Sequence, residues 1–150
     1  MPRAPFQVAI FPFRPVAHEQ WEYAIFRRSV EAYWQSIAGG GEDGESPDEA
    51  ARRETHEEAG LPLTCRFVPL RTTASVPVTH FHDRQHWDAD LFVIPVHYFG
   101  VDAANRDIRL CREHSEYRWL TLDAAVGLLQ WDSDKTALWE LAQHLSRSGA

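Results

Sequence analysis

The sequence predicts an α/β domain in which a mixed β-sheet is flanked by helices. A length of 150 residues suits one domain, and no internal repeat or low-complexity linker divides the chain. Segments rich in aromatic and β-branched residues occupy much of it. One acidic segment with helix start and stop signals interrupts them, and an apolar stripe with helical spacing follows near the end. We therefore expect residues 1–150 to form a single domain.

The N-terminal third predicts three strands and a loop. Residues 6–13 are aromatic and β-branched and follow a proline, and residues 22–28 alternate between apolar and polar side chains. Residues 33–37 form a short third candidate strand. Glycine dominates residues 39–44, and this composition favours a tight loop.

Residues 47–59 carry helix signals at both ends. Ser46 is a favourable N-cap, Pro47 suits the first helical position, and Glu49 completes a capping box. Gly60, with a second proline two residues later, ends the pattern. The sequence therefore predicts a helix over residues 47–59.

The next part of the chain predicts two long strands and then a third. Residues 64–79 and 87–99 are β-branched and aromatic, and we expect them to pair antiparallel. Residues 80–86 form a polar loop between them, and the spacing of its three histidines, His80, His82 and His86, matches no zinc pattern. Residues 108–119 predict a strand with a turn near Glu113.

Two helices are predicted after this strand. Thr121 or Asp123 can cap a short helix that ends near Gln130, and Asp132 or Ser133 can cap the last one. Apolar residues at helical spacing predict that the last helix packs on the sheet. They are Leu138, Leu141, Ala142 and Leu145.

Negative charge is concentrated in one segment. Residues 42–58 contain eight acidic and two basic residues, so they carry −6 of the chain's net charge of −7. Because nucleic-acid-binding surfaces are basic, we expect no nucleic-acid partner. No apolar run approaches the length of about 20 residues that a membrane-spanning helix needs, so we expect no membrane partner.

The N-terminal residues and the cysteines predict a cytoplasmic protein. Residues 1–5 include an arginine but no apolar segment of the kind that a secretory signal needs. Cys65 and Cys111 are the two cysteines, too few for a disulfide scaffold. We expect both to be free thiols in a reducing compartment.

Three carboxylates converge on one side of the predicted helix. Glu54, Glu57 and Glu58 fall within about 100° of arc on the helical wheel. Like charges this close repel unless solvent or a cation offsets them. A solvated acidic surface is one interpretation, and a site for Mg²⁺, Mn²⁺ or Ca²⁺ is the other. Arg53 is placed to pair with Glu57 and to reach back to Glu45.

The same segment resembles the Nudix box. Gly39, Glu45 and residues 53–61 match the fixed positions of that motif, which spans residues 39–61 here. Thr55 is the one soft departure, at a position where the family usually has a bulkier aliphatic residue that packs rather than reacts. The resemblance implies an α/β/α sandwich that hydrolyses a nucleoside diphosphate linked to another moiety, with Mg²⁺ or Mn²⁺ as the cofactor.

The resemblance also implies roles for individual residues. Glu54 and Glu58 would be the principal metal ligands and Glu57 a further ligand, with a backbone carbonyl near residue 38 or 39 joining them. Glu45 and Arg53 would form an orienting ion pair. Glu57, Glu58 and Arg53 are thus the catalytic candidates within the box.

Two flanking segments resemble particular branches of the family. Residues 33–36 are similar to a run in the bacterial dihydroneopterin triphosphate pyrophosphatases. Residues 113–120 are similar to a segment that those enzymes share with diadenosine tetraphosphate hydrolases. In the pyrophosphatases the first Glu of this segment reaches the metal, which implies that Glu113 is a ligand or the general base, with Glu116 as second candidate. A surface loop carboxylate is the alternative for Glu113.

Five residues are candidates for binding the substrate. Arg27 and Arg28 end a predicted strand, where either could hold phosphates or lie in solvent. Trp34 could stack on a planar base or belong to the core, and Gln35 lies in the same run. Trp87 is a further stacking candidate beside the polar loop.

These patterns predict an enzyme that cleaves a pyrophosphate bond. The first choice of substrate is a nucleoside triphosphate-like molecule, dihydroneopterin triphosphate or a deoxynucleoside triphosphate, cleaved to a monophosphate and pyrophosphate. A diadenosine polyphosphate is the alternative substrate. The alternative from another class is a module that senses a nucleotide without turning it over, although such a module need not keep the metal cluster. We expect a monomer or a homodimer.

Overall fold

A computed structural model describes residues 2–147 of the chain, so the ends of the predicted 1–150 domain, residues 1 and 148–150, lie outside the described residues. The described part forms a seven-stranded sheet and three α-helices. The strands are β1 (Arg3–Ala17), β2 (Gln20–Arg28), β3 (Trp34–Gln35), β4 (Ile37–Glu42), β5 (Phe67–Pro77), β6 (Val93–Asp102) and β7 (His114–Leu120). The helices are α1 (Pro47–Ala59), α2 (Leu122–Leu128) and α3 (Asp132–Arg147).

The long strand β1 organises the mixed sheet. On one side it pairs parallel with β6, which pairs antiparallel with β5. On the other side the first half of β1 pairs with β4 and its second half pairs with β2. Strand β2 continues past β1 and is joined by β7 and β3. β4 pairs with residues 3–10 of β1, and β2 pairs with residues 13–17. The sheet therefore divides into two arms between these two parts of β1.

The helices cover both faces of this sheet. Successive residues of a strand point to opposite faces, so Val8 and Ile10 pack in the cluster that contains α1, while Ala9 and Phe11 pack in the cluster that contains α2 and α3. The predicted mixed sheet between helices, and the α/β/α sandwich that the Nudix resemblance implied, are confirmed. No helix among the described residues is both long enough and apolar enough to cross a membrane.

Helix α1 begins and ends where the sequence predicts. The Ser46 side chain accepts a hydrogen bond from the Glu49 N–H, and the Glu49 carboxylate accepts one from the Ser46 N–H. At the other end, Gly60 has a φ of 72° and its N–H donates to the His56 carbonyl. Glycine adopts this left-handed conformation without steric cost. Local signals alone therefore define the helix that carries the acidic residues.

The predicted loop at residues 39–44 is wrong over residues 39–42, which belong to a strand. Gly39 and Gly40 belong to β4 and lie opposite Val8 and Gln7 of β1. Glycine is required here for close packing rather than for a turn. A Cβ on Gly39 would collide with the Glu54 carboxyl group. The glycine run is thus a strand that lets α1 approach the sheet.

Strands β5 and β6 pair antiparallel, as predicted, but both are displaced from their predicted limits. A hydrogen bond from the Cys65 N–H to the Pro62 carbonyl closes a turn before β5 begins. Two short 3₁₀ turns, Val78–His80 and His82–His86, follow β5. A further turn, closed by a hydrogen bond from the Leu91 N–H to the Asp88 carbonyl, precedes β6, which therefore begins at Val93 rather than at residue 87.

Strands β1 and β7 also differ from their predicted limits. β1 is longer than residues 6–13 because neighbouring strands pair with it along almost all of its length. β7 is shorter than residues 108–119 because residues 108–113 run past the end of α1, where the Arg109 N–H donates to the Ala59 carbonyl. Pairing partners that are distant in sequence thus set these limits.

Helices α2 and α3 confirm the two predicted C-terminal helices. The Thr121 hydroxyl caps α2 by accepting a hydrogen bond from the Ala124 N–H at 3.4 Å. All four residues of the predicted apolar stripe of α3 are buried against the sheet.

Glu140 of α3 supports an irregular part of β5. The pairing of β5 with β6 shifts register between Pro69 and Thr73. Glu140 accepts the Arg71 N–H, the Thr72 N–H and the Thr72 hydroxyl at 2.7 to 2.8 Å. Burial raises the pKa of Glu140, but these hydrogen bonds outweigh burial and lower the pKa to about 2.

Glu140→Gln is expected to lower the free energy of unfolding by about 1.5–3 kcal/mol at neutral pH, because an amide cannot replace every bond that the carboxylate accepts. The folded-state pKa of Glu140 lies below its ordinary value of 4.5. Its contribution is therefore complete above pH 4.5 and is lost as the pH falls towards 2. Urea unfolding of both proteins at several pH values measures this. A stability difference that does not shrink with falling pH would contradict it.

Candidate active site

Two buried carboxylates extend from α1 to the place where the sheet divides. The Glu54 carboxyl group packs on Gly39 of β4. One helical turn later, Glu58 Oε1 lies 3.9 Å from His114 Nδ1 at the start of β7. The side chains of Glu54 and Glu58 are 11% and 5% exposed. Helix α1 therefore presents both carboxylates between β4 and β7.

The environment of these two groups fits a hard divalent cation. Burial, followed by the adjacent Glu54 carboxyl group, raises the pKa of Glu58, and burial also raises the pKa of Glu54. Glu58 Oε1 is buried without a hydrogen-bond partner. A divalent cation would offset the free-energy cost of burying the two carboxylates and of leaving Glu58 Oε1 without a partner. Carboxylate oxygens are the ligands that Mg²⁺ and Mn²⁺ prefer. The predicted ligands Glu54 and Glu58 are thus brought together in a suitable donor set.

The guanidinium group of Arg53 donates hydrogen bonds to four residues. Its Nε and Nη2 donate to the two oxygens of Glu45 at 2.8 and 2.9 Å. Its Nη1 donates to Glu54 at 2.9 Å and to Glu57 at 3.3 Å. Its Nη2 also donates to the Gly40 carbonyl at 2.9 Å. Arg53 therefore ties α1 both to β4 and to the turn that precedes the helix.

The rim of the cluster is more exposed than its centre. The Glu57 side chain is 54% exposed, and Glu42 at the end of β4 lies 3.3 Å from Arg53 Nε. The hydrogen bond from Arg53 lowers the pKa of Glu45, so this carboxylate stays ionised beside the guanidinium. The sequence pattern missed Glu42 because it lay in an expected loop.

His114 is a buried residue that the sequence pattern did not single out. Its Nε2 lies 3.2 Å from Gln35 Nε2, and its ring packs on Phe26 with the centroids 5.1 Å apart. Burial, with the nearby Arg28 charge, lowers the pKa of His114 to about 4. The ring is therefore neutral at neutral pH, and its Nδ1 is buried with no hydrogen-bond partner.

Glu113 and Arg28 lie together beside this histidine. Arg28 Nη1 is 3.7 Å from Glu113 Oε2, and the Glu113 side chain is 54% exposed. Arg27 instead donates to the Ser115 hydroxyl at 3.2 Å. Glu116, the second candidate, forms an exposed ion pair within β7. The charge of Glu113 adds to the effects that raise the pKa of Glu58, so Glu113 is the distal carboxylate that interacts with the cluster.

A cavity of about 460 Å³ lies beside the cluster. Tyr33 and Trp131 form one wall and meet edge to face, with ring centroids 5.5 Å apart. Gln35 joins the cavity to the cluster, because it lines the cavity and its side chain contacts His114. The other lining residues include Ala38, His80, Phe81, Tyr98, Ser133 and Asp134.

The two tryptophans that the sequence offered for stacking lie outside this lining. Trp34 packs under Arg118, whose guanidinium carbon is 4.8 Å from the ring centroid. The Trp87 indole N–H donates to the Arg3 carbonyl at 2.9 Å. Of the predicted substrate residues within the described chain, Gln35 is the one that lines the cavity.

Asp134 is a buried carboxylate in the wall of the cavity. It lies in the first turn of α3, is 5% exposed, and accepts the Tyr98 hydroxyl at 2.8 Å. The Ser133 hydroxyl lies 2.9 Å from the same tyrosine oxygen. Burial raises the pKa of Asp134 to about 6, so the group is mostly ionised at pH 7. The sequence showed only a polar helix start here.

Comparison with known proteins relates this geometry to a family. Residues 10–140 match the NUDIX domain. Over 123 residues the chain is 33% identical to the asymmetrical bis(5'-nucleosyl)-tetraphosphatase of Sus scrofa, which covers 79% of this chain and 76% of that protein. Over 116 residues it is 27% identical to the dihydroneopterin triphosphate diphosphatase of Escherichia coli K12, covering 75% and 76%.

Solved structures agree with the fold. A Listeria monocytogenes protein assigned to the NUDIX hydrolases superposes with a TM-score of 0.88 at 35% identity, over 97% of both chains. The E. coli dihydroneopterin triphosphate pyrophosphohydrolase superposes with a TM-score of 0.74 at 21% identity, over 95% of this chain and 97% of that one. The second likeness concerns the fold alone.

Proposed function

Because this chain belongs to the NUDIX family of hydrolases, we propose that it hydrolyses a triphosphate substrate that carries one heterocyclic ring system. The products are a monophosphate and pyrophosphate. The preferred substrate is dihydroneopterin triphosphate or a deoxynucleoside triphosphate. Mg²⁺ is the proposed cofactor, and Mn²⁺ can replace it. The buried carboxylates of α1, the Arg53 network and the adjoining cavity support this proposal.

The substrate proposal rests on the junction between the cavity and the carboxylates of α1, which Gln35 and His114 form. Gln35 lines the cavity and contacts His114, whose other ring nitrogen lies 3.9 Å from Glu58. A triphosphate that crosses this junction has its ring in the cavity and its anhydride bonds near Glu58. A cavity of about 460 Å³ suits one fused heterocycle. The second base of a dinucleotide would lie outside it.

The lining of the cavity suits a planar ring with N–H groups. Tyr33 and Trp131 offer aromatic surface to one side of a ring. Asp134 is held by Tyr98 and is mostly ionised at pH 7, so it can accept hydrogen bonds from ring N–H or amino groups. Purines and pterins both carry such groups beside their ring nitrogens.

The carboxylates of α1 would hold the cation. Glu54 and Glu58 are the proposed principal ligands, and Glu57 is a further ligand at the rim. When bound, the cation neutralises charge on the phosphate oxygens and increases the acidity of a water molecule. Arg53 keeps Glu54 and Glu57 in position through its two Nη1 hydrogen bonds.

Two residues outside α1 complete the proposed mechanism. Glu113 accepts the proton of the water that attacks phosphorus, because its exposed carboxylate can reach solvent and substrate. Arg28, which lies 3.7 Å from Glu113, binds a phosphate oxygen and so stabilises the charge that develops during hydrolysis.

A dinucleoside tetraphosphate is the second candidate substrate. The observation that favours it is the 33% identity to the Sus scrofa asymmetrical tetraphosphatase. The same carboxylates would act on either substrate, so variants of Glu54 or Glu58 cannot distinguish them. The identity of the products can.

The test compares three substrates under identical Mg²⁺ concentrations: dihydroneopterin triphosphate, dATP and diadenosine tetraphosphate. We expect the first or second to give a monophosphate and pyrophosphate, identified by mass, at the highest kcat/KM. Glu58→Gln protein prepared in the same way controls for contaminating phosphatases. A higher kcat/KM for diadenosine tetraphosphate, with ATP and AMP as products, would overturn the single-heterocycle proposal.

We propose a cytoplasmic location for the enzyme. Cys65 and Cys111 are free thiols in the structure, which suits a reducing compartment. The expectations of a monomer or homodimer and of no nucleic-acid partner stay predictions.

A further inference from the structure

Three different metal-binding side chains meet beside the proposed magnesium cluster. Glu58 comes from α1, Cys111 from the segment before β7, and His114 from the start of β7. One ligand atom of each residue lies within 4.8 Å of the others. Glu58 and His114 are buried, while Cys111 is half-buried and keeps one side of the group open.

Two of these three ligand atoms are buried and unpartnered. Glu58 Oε1 and His114 Nδ1 have no hydrogen-bond partner, and they face each other at 3.9 Å, too far for a hydrogen bond. An unpartnered buried polar atom is energetically unfavourable. Two buried and unpartnered atoms 3.9 Å apart fit a ligand that contacts both of them.

The donor set selects the kind of cation. Thiolate and imidazole ligands favour Zn²⁺ and chemically similar ions, whereas Mg²⁺ favours oxygen ligands alone. In a tetrahedral zinc site with bonds of about 2.0–2.3 Å, the ligand atoms lie about 3.3–3.7 Å apart. The separation of 3.9 Å between Glu58 and His114, and the separations of up to 4.8 Å within the group, would have to shorten to this range when the cation binds.

We propose that Glu58, Cys111 and His114 form a binding site for Zn²⁺ or a similar thiophilic cation, with a water molecule in the fourth position. The site shares Glu58 with the all-carboxylate cluster but takes its other two ligands, Cys111 and His114, from outside α1. Cys111 binds as the thiolate, and its proton passes to solvent when the cation binds.

Gln35 can support this site from the other side of the imidazole. With the cation on His114 Nδ1, the proton of the ring lies on Nε2. Gln35 lies 3.2 Å from Nε2, and after a half-turn of its amide its oxygen accepts that proton in a hydrogen bond. Metal-bound histidines are commonly oriented in this way. Because Gln35 also lines the cavity, it contacts both the cation site and the proposed substrate pocket.

Occupation of this site would inhibit hydrolysis. Glu58 Oε1 cannot bind Zn²⁺ with Cys111 and His114 and also serve the magnesium cluster in its best position. This consequence rests on the proposed function, whereas binding of the cation does not. The two are therefore tested separately.

Binding is tested with Co²⁺, which occupies zinc sites and reports thiolate ligands by a charge-transfer absorption band. We expect the band in wild-type protein and in Cys65→Ala, which removes the other free cysteine, and we expect its loss in Cys111→Ser. Absence of the band in wild type, persistence in Cys111→Ser, or loss in Cys65→Ala would overturn the site. This measurement needs no enzymatic activity.

Inhibition is tested by titrating Zn²⁺ against hydrolysis of the preferred substrate at saturating Mg²⁺. We expect wild type and Cys65→Ala to be inhibited at the same Zn²⁺ concentration, and Cys111→Ser to need a concentration more than about tenfold higher. Equal sensitivity of all three proteins would overturn the competition for Glu58. If none of them hydrolyses any substrate, the proposed function fails while the cobalt spectrum still decides the cation site.

Discussion

Glu58→Gln is expected to lower kcat by about 10³-fold or more, because it removes a charged ligand from the centre of the proposed cation site. Glutamine has nearly the same shape, so the buried position stays filled. The variant also removes a carboxylate whose pKa is raised by burial and by Glu54. Its folded state should therefore be at least as stable as that of wild type.

The measurement is kcat at saturating substrate and Mg²⁺, with thermal unfolding as a check on the fold. Asp48→Asn is the matched control, because it removes one negative charge from the same helix at an exposed ion pair with Arg52. We expect the control to leave kcat nearly unchanged. A Glu58→Gln enzyme with wild-type kcat would show that Glu58 is not a ligand of the catalytic cation.

Arg53→Ala is expected to lower kcat by about 10²-fold while the cation still binds. Arg53 supplies no ligand oxygen, but it holds Glu45, Glu54 and Glu57 through hydrogen bonds of 2.8 to 3.3 Å. A shift of about 1 Å in a catalytic group can cost about 10²-fold in rate. Turnover and the dissociation constant for Mn²⁺ are measured on the same preparation.

Arg52→Ala provides the matched control for this prediction. Arg52 is the preceding residue, but it binds Asp48 and the carbonyls of Leu63 and Cys65, away from the cluster. We expect Arg52→Ala to affect stability more than turnover. Loss of Mn²⁺ binding in Arg53→Ala would show that Arg53 is needed to form the cation site. Unchanged turnover would show that Arg53 does not orient the carboxylates.

The parts of the site that the sequence predicted are those that depend on local spacing. Helix α1 is defined by Ser46, Glu49 and Gly60, all within or next to the helix. Once the helix is known, its period of about 3.6 residues places Glu54 and Glu58 on neighbouring positions. Arg53 lies four residues before Glu57, so their contact also follows from helical spacing.

The parts that the sequence could not predict depend on contacts between distant segments. Gly39 looked like a loop residue because a sequence does not show that Glu54 packs on it. His114 is one histidine among charged neighbours, and its burial arises only when β7 pairs with β2. Asp134 enters the cavity because α3 packs on the sheet beside Tyr98.

The sequence also did not show which aromatic residues line the cavity, because the lining depends on contacts between distant segments. Trp34 and Trp87 were chosen because of their chemical type, but Trp34 packs under Arg118 and Trp87 bonds to the Arg3 backbone. Tyr33 and Trp131, which line the cavity, are 98 positions apart in the sequence and come together only in the folded chain.

The dependence of the hydrolysis rate on free Mg²⁺, measured from the products of each substrate, tests most directly whether hydrolysis requires a cation held by α1. Wild-type protein is freed of metal with a chelator and assayed with dihydroneopterin triphosphate, dATP and diadenosine tetraphosphate while free Mg²⁺ is raised. We expect no hydrolysis above background in excess chelator and a saturable increase in rate as Mg²⁺ is restored. A full rate in excess chelator, from protein whose Glu58→Gln counterpart is equally active, would contradict the proposed function.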